Sequence, residues 1–240
     1  MTIYGVIPAR FESTRFPGKI LHLIHGKPLL EHVIERVKQA RSLHRIIVAT
    51  DHKDIFNLAV SLHVSAVMTP STIASGTDRI AFILPDLESM DGAVNIQGDE
   101  PLIEPDLIDQ IAAQLSSYPI VTAVTPCSDE SAFRDPNVVK VVSNQNDEAL
   151  YFSRSPIPFH RDHPFTGFWR HIGIYGYTRD SLIRFTGLPI SPLERDEKLE
   201  QLRFLDNGFP IRLIRTDYQG WGIDTPDDVT RLSHHLLPIT

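Results

Sequence analysis

Near its start the chain reads Ile3-Tyr4-Gly5-Val6-Ile7-Pro8-Ala9-Arg10-Phe11-Glu12-Ser13-Thr14-Arg15-Phe16-Pro17-Gly18-Lys19. Its first five residues form a short apolar run, which predicts the first strand of a buried sheet. The residues that follow, punctuated by proline and glycine, carry the cations Arg10, Arg15 and Lys19. Open α/β sheets bind ligands beyond the carboxyl ends of their strands. The stretch therefore predicts an α/β fold with an anion site, most simply a phosphate site, on this loop.

The first half of the chain alternates between strand and helix patterns. Apolar runs predict buried strands at 45–50 and 93–97, with weaker candidates at 65–68 and 121–124. Apolar residues at helical spacing predict helices at 28–40, 54–62, 78–87 and 106–115. This alternation predicts a Rossmann-like, mostly parallel mixed sheet flanked by helices on both faces.

The pattern changes after about residue 127. Strands are predicted at 138–142, 149–152 and 171–177, with an extended loop at 153–168. We expect one domain over 1–240, in which a smaller antiparallel region at 128–190 is added to the main sheet. A helix start at Ser191 predicts a helix to Asn207 that Gly208 ends. A strand at 211–215 and a final helix from Thr225 follow.

The composition limits the possible functions. The 240 residues are 42% hydrophobic, which can supply a core, and the formal net charge of −7 makes nucleic acid an improbable partner. The single cysteine, Cys127, excludes an intrachain disulfide and is typical of a reducing compartment. No apolar run approaches the ~18 residues of a membrane span. These features predict a soluble, cytoplasmic protein.

Two aspartates are candidate metal ligands. Asp99 follows the strand predicted at 93–97, and Mg²⁺ prefers one or two carboxylates together with phosphate oxygens and water. A plain turn accounts equally well for the pair Gly98-Asp99. Asp224 lies one residue before the predicted cap Thr225 and is not needed for that cap. The two carboxylates could therefore complete one metal site.

Other polar residues have a structural interpretation beside the functional one. Ser75 and Asp78 form an acceptable helix cap, which we favour over contact with a nucleobase; Arg79 is then either a solvated residue or a partner for a substrate carboxylate. The eleven histidines show no zinc-site spacing, and His171 is by default a strand histidine. The pair Glu200-Gln201 would ordinarily lie on a solvated helix face.

Two nucleotide-binding motifs are missing from the sequence. The basic loop has Gly18-Lys19 but no complete Walker A motif, and no Gly-x-Gly-x-x-Gly fingerprint occurs. A P-loop ATPase and a nicotinamide oxidoreductase are therefore poor candidates.

A series of short motifs covers nearly the whole chain. The more specific ones are Arg170-His171-Ile172-Gly173-Ile174-Tyr175 and Leu199-Glu200-Gln201-Leu202-Arg203. The others lie at 7–10, 13–15, 17–19, 48–51, 75–79, 95–101, 149–154 and 222–226. On these motifs the chain resembles the nucleotidyltransferases that activate sugars, specifically the CMP-Kdo synthetase (3-deoxy-manno-octulosonate cytidylyltransferase) family.

The resemblance implies a nucleotide-diphospho-sugar transferase type of fold and a role for each matching residue. Arg10, Arg15 and Lys19 would hold the triphosphate of CTP, and Asp99 and Asp224 would bind Mg²⁺, with Lys19, Asp99 and Asp224 as the catalytic groups. Ala9, Ser75 and Gln97 would contact the cytidine. The sugar pocket would be lined by Arg79, Arg154, His171, Tyr175, Glu200 and Gln201.

The resemblance also implies a reaction and an assembly. CTP and Kdo, an acidic eight-carbon sugar, would give CMP-Kdo and pyrophosphate for lipopolysaccharide synthesis, in a cytoplasmic homodimer joined largely through the antiparallel region. Two alternatives remain open: a different acidic sugar, such as an 8-amino Kdo analogue or a sialic acid, and a non-catalytic nucleotide-binding module.

Overall fold

A computed structural model describes residues 1–12, 15–73, 75–162 and 164–233. Ser13 and Thr14, which belong to the quoted loop, lie outside the described residues. The strands are β1 (Ile3–Ala9), β2 (Leu23–Ile24), β3 (Lys27–Pro28), β4 (Arg45–Thr50), β5 (Ser65–Met68), β6 (Gly92–Asn95), β7 (Ile120–Cys127), β8 (Lys140–Ser143), β9 (Ala149–Ser153), β10 (Phe168–Thr178) and β11 (Arg212–Arg215).

A mixed sheet forms the centre of the protein. Its main path runs β11-β7-β10-β6-β1-β4-β5, and β8 and β9 extend it from β10. Strand β1 pairs in parallel with both β4 and β6, and β4 pairs in parallel with β5. The predicted mostly parallel α/β fold is confirmed. The carboxyl ends of β1 and β6 therefore lie side by side, so that the basic loop and Asp99 emerge at the same edge.

Helices cover the sheet and bury apolar faces against it. In the first helix, the apolar residues at helical spacing are all buried. That helix begins one residue later than predicted because Pro28 pairs with Leu23 in a small hairpin. The helices are α1 (Leu29–Val37), α2 (Lys53–Ser61), α3 (Gly76–Ile83), α4 (Pro105–Gln114), α5 (Glu130–Arg134), α6 (Arg179–Gly187), α7 (Pro192–Glu197), α8 (Gln201–Asp206) and α9 (Pro226–Ser233).

The antiparallel region is more central than the sequence predicts. Strand β10 does not lie at an edge but pairs antiparallel with β6 on one side and with β7 on the other. Its register against β7 shifts between Ile172 and Tyr175. Such a bulge bends a strand and is common beside active sites. At this bulge His171, Gly173 and Tyr175 line a pocket, whereas Ile172 and Ile174 are buried in the core.

The prediction of one long helix at 191–207 is wrong in the middle of that range. Ser191 caps α7 as predicted, accepting a hydrogen bond from the Glu194 amide at 3.2 Å. The helix then stops because Lys198 adopts a left-handed conformation (φ 56°, ψ 46°), and α8 begins only at Gln201. The Glu194 carboxylate binds Arg203 in α8, at 2.6 Å to each oxygen, so that the two short helices are joined across the break.

Among the residues described here, no helix has both the length and the apolar content needed to cross a membrane.

Candidate active site

The basic loop and both candidate metal ligands meet at one ammonium group. Gly18, in a left-handed conformation (φ 70°), turns the chain so that Lys19 begins a short 3₁₀ turn. The Lys19 Nζ lies 2.5 Å from Asp99 Oδ2 and 3.2 Å from Asp224 Oδ1, and it donates to the Ile223 carbonyl at 2.8 Å. The loops of the two aspartates are also joined directly, because the Ile223 amide donates to the Asp99 carbonyl at 2.9 Å. Two distant chain segments thus form one acidic pair around a lysine.

This pair fits a magnesium ion that is shared with phosphates. No cluster of three or more metal-ligating side chains occurs in the described part of the chain. Asp99 and Asp224 offer two hard carboxylate oxygens, with side chains 25% and 49% exposed, so that a ligand can reach them. Mg²⁺ commonly takes one or two carboxylates and completes its octahedron with water and substrate phosphate. The donor set therefore matches Mg²⁺ better than a metal held wholly by protein.

A cleft of about 300 Å³ opens beside these groups. Arg15 lies in its wall and pairs with Asp224 Oδ1 at 3.0 Å. The cleft brings together the cations and carboxylates predicted from the sequence. Its lining includes Arg10, Glu12, Arg15, Lys19, Ser75, Gly76, Arg79, Gln97, Asp99, Glu200 and Asp224.

Of the three residues predicted to contact the cytidine, two have side chains that line the cleft. Gln97 and Ser75 line the cleft, whereas the Ala9 side chain is buried in the core beneath it. Ser75 also caps α3: its Oγ accepts from the Asp78 amide at 3.0 Å and donates to the Asp78 carboxylate at 2.8 Å. The favoured cap is confirmed, and the same residue still faces the cleft. Gln97 donates from Nε2 to the Gly173 carbonyl at 2.9 Å, which joins the cleft to the bulged strand.

A second pocket of about 230 Å³ adjoins the first, since Gly76, Gln97 and Glu200 line both. It contains four of the residues predicted for the sugar: His171, Tyr175, Glu200 and Gln201. Within the described part of the chain, two buried polar atoms of its lining, Asn95 Oδ1 and Gln201 Nε2, have no hydrogen-bond partner. Buried polar groups are nearly always paired, so these atoms indicate a pocket made for a polar ligand.

Burial in this pocket favours the neutral forms of its titratable side chains. Burial lowers the pKa of His171 to about 3, so that the imidazole is neutral at pH 7. Its Nε2 lies 3.0 Å from the Thr122 Oγ1, which also donates to the Ile174 carbonyl within the bulge. Burial also raises the pKa of the Tyr175 hydroxyl and of the Glu200 carboxyl. The pocket thus offers hydrogen-bonding groups suited to hydroxyls.

Arg79 is neither solvated nor free to meet a substrate carboxylate. It is 2% exposed, its guanidinium donates to Asp51 at 3.2 Å and to the Ile73 carbonyl at 3.3 Å, and it also bonds to Thr69. Asp51 in turn accepts from the Phe11 amide at 3.0 Å. Through Asp51, Arg79 therefore joins the first turn of α3 to the start of the basic loop. Arg79 forms part of the wall of the cleft, with its guanidinium bound to protein groups.

Arg154 lies outside both pockets as the described residues define them. Its guanidinium donates to the carbonyls of Pro136 at 2.9 Å and Glu197 at 2.8 Å. Both guanidinium groups predicted for the sugar are thus occupied by protein acceptors. The sequence motifs located Arg79 and Arg154 near the site but did not reveal these partners.

Glu100 is a partly buried residue beside the site, and the sequence suggested no role for it. Its carboxyl accepts from the Tyr218 hydroxyl at 2.8 Å, and burial raises its pKa to about 7. Tyr218 belongs to the segment that leads to Asp224, whereas Glu100 follows Asp99. The pair therefore joins the two loops that carry the candidate metal ligands. Its position next to Asp99 was the only sequence signal available.

A mixed α/β sheet, with a basic loop after β1 and carboxylates from the segments after β6 and β11, is the arrangement expected of a nucleotidyltransferase. The sequence profile of the family described as Cytidylyltransferase matches residues 4–214. The chain is 46% identical over 248 residues to the 3-deoxy-manno-octulosonate cytidylyltransferase of Syntrophotalea carbinolica, covering 98% of this chain and 99% of that protein. It is 47% identical over 235 residues to the same enzyme of Solibacter usitatus, covering 96% and 93%. The chain belongs to the 3-deoxy-manno-octulosonate cytidylyltransferase family.

Solved structures agree with this assignment. The structure of a CMP:2-keto-3-deoxy-manno-octonic acid synthetase complexed with CTP superposes with a TM-score of 0.93 at 36% identity, covering 98% of each chain. A putative glucose-1-phosphate thymidylyltransferase from Bacillus anthracis superposes with a TM-score of 0.69 at 16% identity, covering 100% of this chain and 97% of that one, and shares the fold.

Proposed function

We propose that this chain transfers the CMP group of CTP to Kdo, forming CMP-Kdo and pyrophosphate. The observation that carries the proposal is the convergence of Asp99 and Asp224 on Lys19, next to a polar pocket that shares the Gln97 and Glu200 walls. The family and the relative crystallised with CTP support the same nucleotide and sugar. In this arrangement the triphosphate lies along the basic loop, and the sugar lies in the second pocket.

The chemistry is an in-line displacement at the α-phosphorus. The anomeric oxygen of the sugar attacks, the bond from the α-phosphorus to the bridging oxygen breaks, pyrophosphate leaves, and the hydroxyl proton passes to water. Such transfers depend mainly on positioning and on neutralising charge. Lys19 and Arg15 balance the charge of the leaving pyrophosphate, and Gln97 separates the two substrates at their common wall. Asp99 and Asp224 would hold Mg²⁺, which supplies charge neutralisation and acidifies a bound hydroxyl.

The second pocket suits an acidic, polyhydroxylated sugar. Neutral His171, Tyr175 and Gln201 offer hydrogen bonds to hydroxyl groups. Lys198 belongs to the same lining, and we propose that its ammonium group binds the carboxylate of the sugar. A sugar without an acid group would lose that charged interaction.

The decisive experiment measures pyrophosphate release from each of the four nucleoside triphosphates with Kdo, with and without Mg²⁺. We expect release with CTP and Kdo that depends on Mg²⁺. An 8-amino Kdo analogue and a sialic acid are tested in parallel; faster release with either one would replace Kdo as the substrate. No release with any sugar, together with measurable CTP binding, would instead establish a non-catalytic nucleotide-binding module.

We further propose that the enzyme works as a homodimer in the cytoplasm and supplies lipopolysaccharide synthesis. The resemblance supports each of these points, and the single Cys127 accords with a reducing compartment. Residues 128–190 are the region proposed for the dimer contact. Light scattering across a dilution series tests the assembly, and a monomer at every concentration would refute it.

A further inference from the structure

The break between α7 and α8 determines where two sugar-pocket residues lie. Glu200 lines both pockets and Gln201 lines the second, and both come directly after the left-handed Lys198. The left-handed region is energetically unfavourable for a residue with a side chain. The surrounding contacts must therefore hold this conformation.

Glu197, the last residue of α7, is the main contact on one side of the break. Its carboxylate accepts from the Ser153 hydroxyl at 2.5 Å, from the Arg154 amide at 2.8 Å and from the Tyr151 hydroxyl at 3.4 Å. In return, the Arg154 Nε donates to the Glu197 carbonyl at 2.8 Å. The carboxyl end of β9 and the carboxyl end of α7 are thus joined by reciprocal hydrogen bonds.

Neighbouring groups make this junction rigid. The buried Lys140 donates from Nζ to the Arg154 carbonyl at 2.7 Å, and also to the carbonyls of Asp135 and Val138. On the other side of the break, Glu194 and Arg203 hold α7 against α8. In the linings that the described residues form, Glu197 belongs to neither of the two pockets, so that it would act on the sugar only through the backbone that follows it.

We propose that Glu197 is a positioning residue for sugar recognition: by binding Ser153 and Arg154 it fixes the 198–200 turn and so places Glu200 and Gln201 in the pocket. This inference deepens the proposed function and rests on it. It assigns Arg154 to the same task, because the guanidinium holds the Glu197 carbonyl. A misplacement of about 1 Å at a reacting centre can cost ~10²-fold in rate.

The test compares steady-state constants of three variants, Glu197→Gln, Glu197→Ala and Ser153→Ala, with those of the wild type. For Glu197→Ala we expect kcat/KM for the sugar to fall by ~10- to 100-fold while KM for CTP stays within about twofold. Gln keeps one acceptor oxygen and replaces the other with an amide nitrogen, so it cannot accept from donors on both sides of the group, and Glu197→Gln should be intermediate. Ser153→Ala removes a single donor and should be mildest. Glu88→Gln, which removes an exposed carboxylate between α3 and β6, is the matched control and should leave both constants unchanged.

The outcomes separate a positioning role from a purely structural one. An unchanged kcat/KM for the sugar in Glu197→Ala would overturn the inference. A rise in KM for CTP as large as the fall in kcat/KM for the sugar would overturn it as well. If Glu197→Ala does not fold, a thermal melt will show it, and Glu197→Gln and Ser153→Ala provide the same comparison. An inactive wild type with Kdo would refute the proposed function instead, which keeps the two failures distinct.

Discussion

Lys19 and Asp99, which belong to the loops after β1 and β6, form a close ion pair, with Nζ 2.5 Å from Oδ2. Asp224 completes the group from the far end of the chain, at 3.2 Å from the same nitrogen. The lysine thus neutralises part of the repulsion between two carboxylates. We expect the negative charge of an entering triphosphate to compete for this lysine, which would leave the carboxylates available to a divalent cation. The pairing accounts for a site that is assembled in advance yet open to ligand.

Asp99→Asn should reduce the rate of pyrophosphate release at least ~10²-fold, the scale seen when one preorganised electrostatic group is removed. The amide oxygen can still accept from Lys19, so we expect a normal thermal melt. Asp217→Asn is the matched control, because Asp217 is exposed on the segment before Asp224. Near-normal turnover in Asp99→Asn would contradict the metal role.

Arg15→Ala and Lys19→Ala should weaken CTP binding more than sugar binding. Charge-assisted hydrogen bonds contribute about 1.5–3 kcal/mol, which corresponds to ~10- to 100-fold in KM for CTP. The larger loss is expected for Lys19, because its removal also leaves Asp99 without this ion pair, whereas Asp224 keeps its pair with Arg15. Arg41→Ala, which removes an exposed cation just before β4, is the control for general charge effects. If only the sugar KM rises, the basic loop has been assigned to the wrong substrate.

Arg79→Met should destabilise the fold, because it leaves Asp51 buried without its partner. Removing one member of a buried ion pair costs about 3–5 kcal/mol of unfolding free energy. The double variant Asp51→Asn/Arg79→Met should recover part of that loss. Urea unfolding of the two single variants and the double variant measures the coupling. A stable Arg79→Met with a raised sugar KM would return Arg79 to the sugar-binding role that the resemblance implied.

His171 should make the protein sensitive to acid. Its pKa is about 3 in the folded state, against 6.5 for the ordinary side chain, so that unfolding takes up a proton between these values. The contribution of neutral His171 to the free energy of unfolding is fully present above about pH 6.5 and is lost as the pH falls towards 3. Wild type should therefore lose about 1–2 kcal/mol more than His171→Gln between pH 7 and pH 5. Urea unfolding at both pH values tests this, and parallel losses in the two proteins would contradict it.

Local patterns in the sequence predicted the structure correctly where one helix or strand, and its closest neighbours in the chain, decided the conformation. The apolar run at 3–7, the helical spacing in α1 and the caps at Ser75 and Ser191 all describe residues that interact with close neighbours. The broken helix at 198–200 was missed because its cause is not local. Glu194 and Glu197 bond to Arg203 and Ser153, and neither partner can be inferred from helix propensity.

The sequence by itself determined the α/β class, the basic loop, the pair of candidate carboxylates and, through its motifs, the family. These follow from periodicity, turn chemistry and residue type, which short segments carry. Only the tertiary structure decided that Asp99 and Asp224 share Lys19, that Arg79 and Arg154 bind protein groups, and that Glu200 faces both pockets. Those relationships depend on which distant segments meet, and burial and hydrogen bonding select the partners only after the sheet has formed.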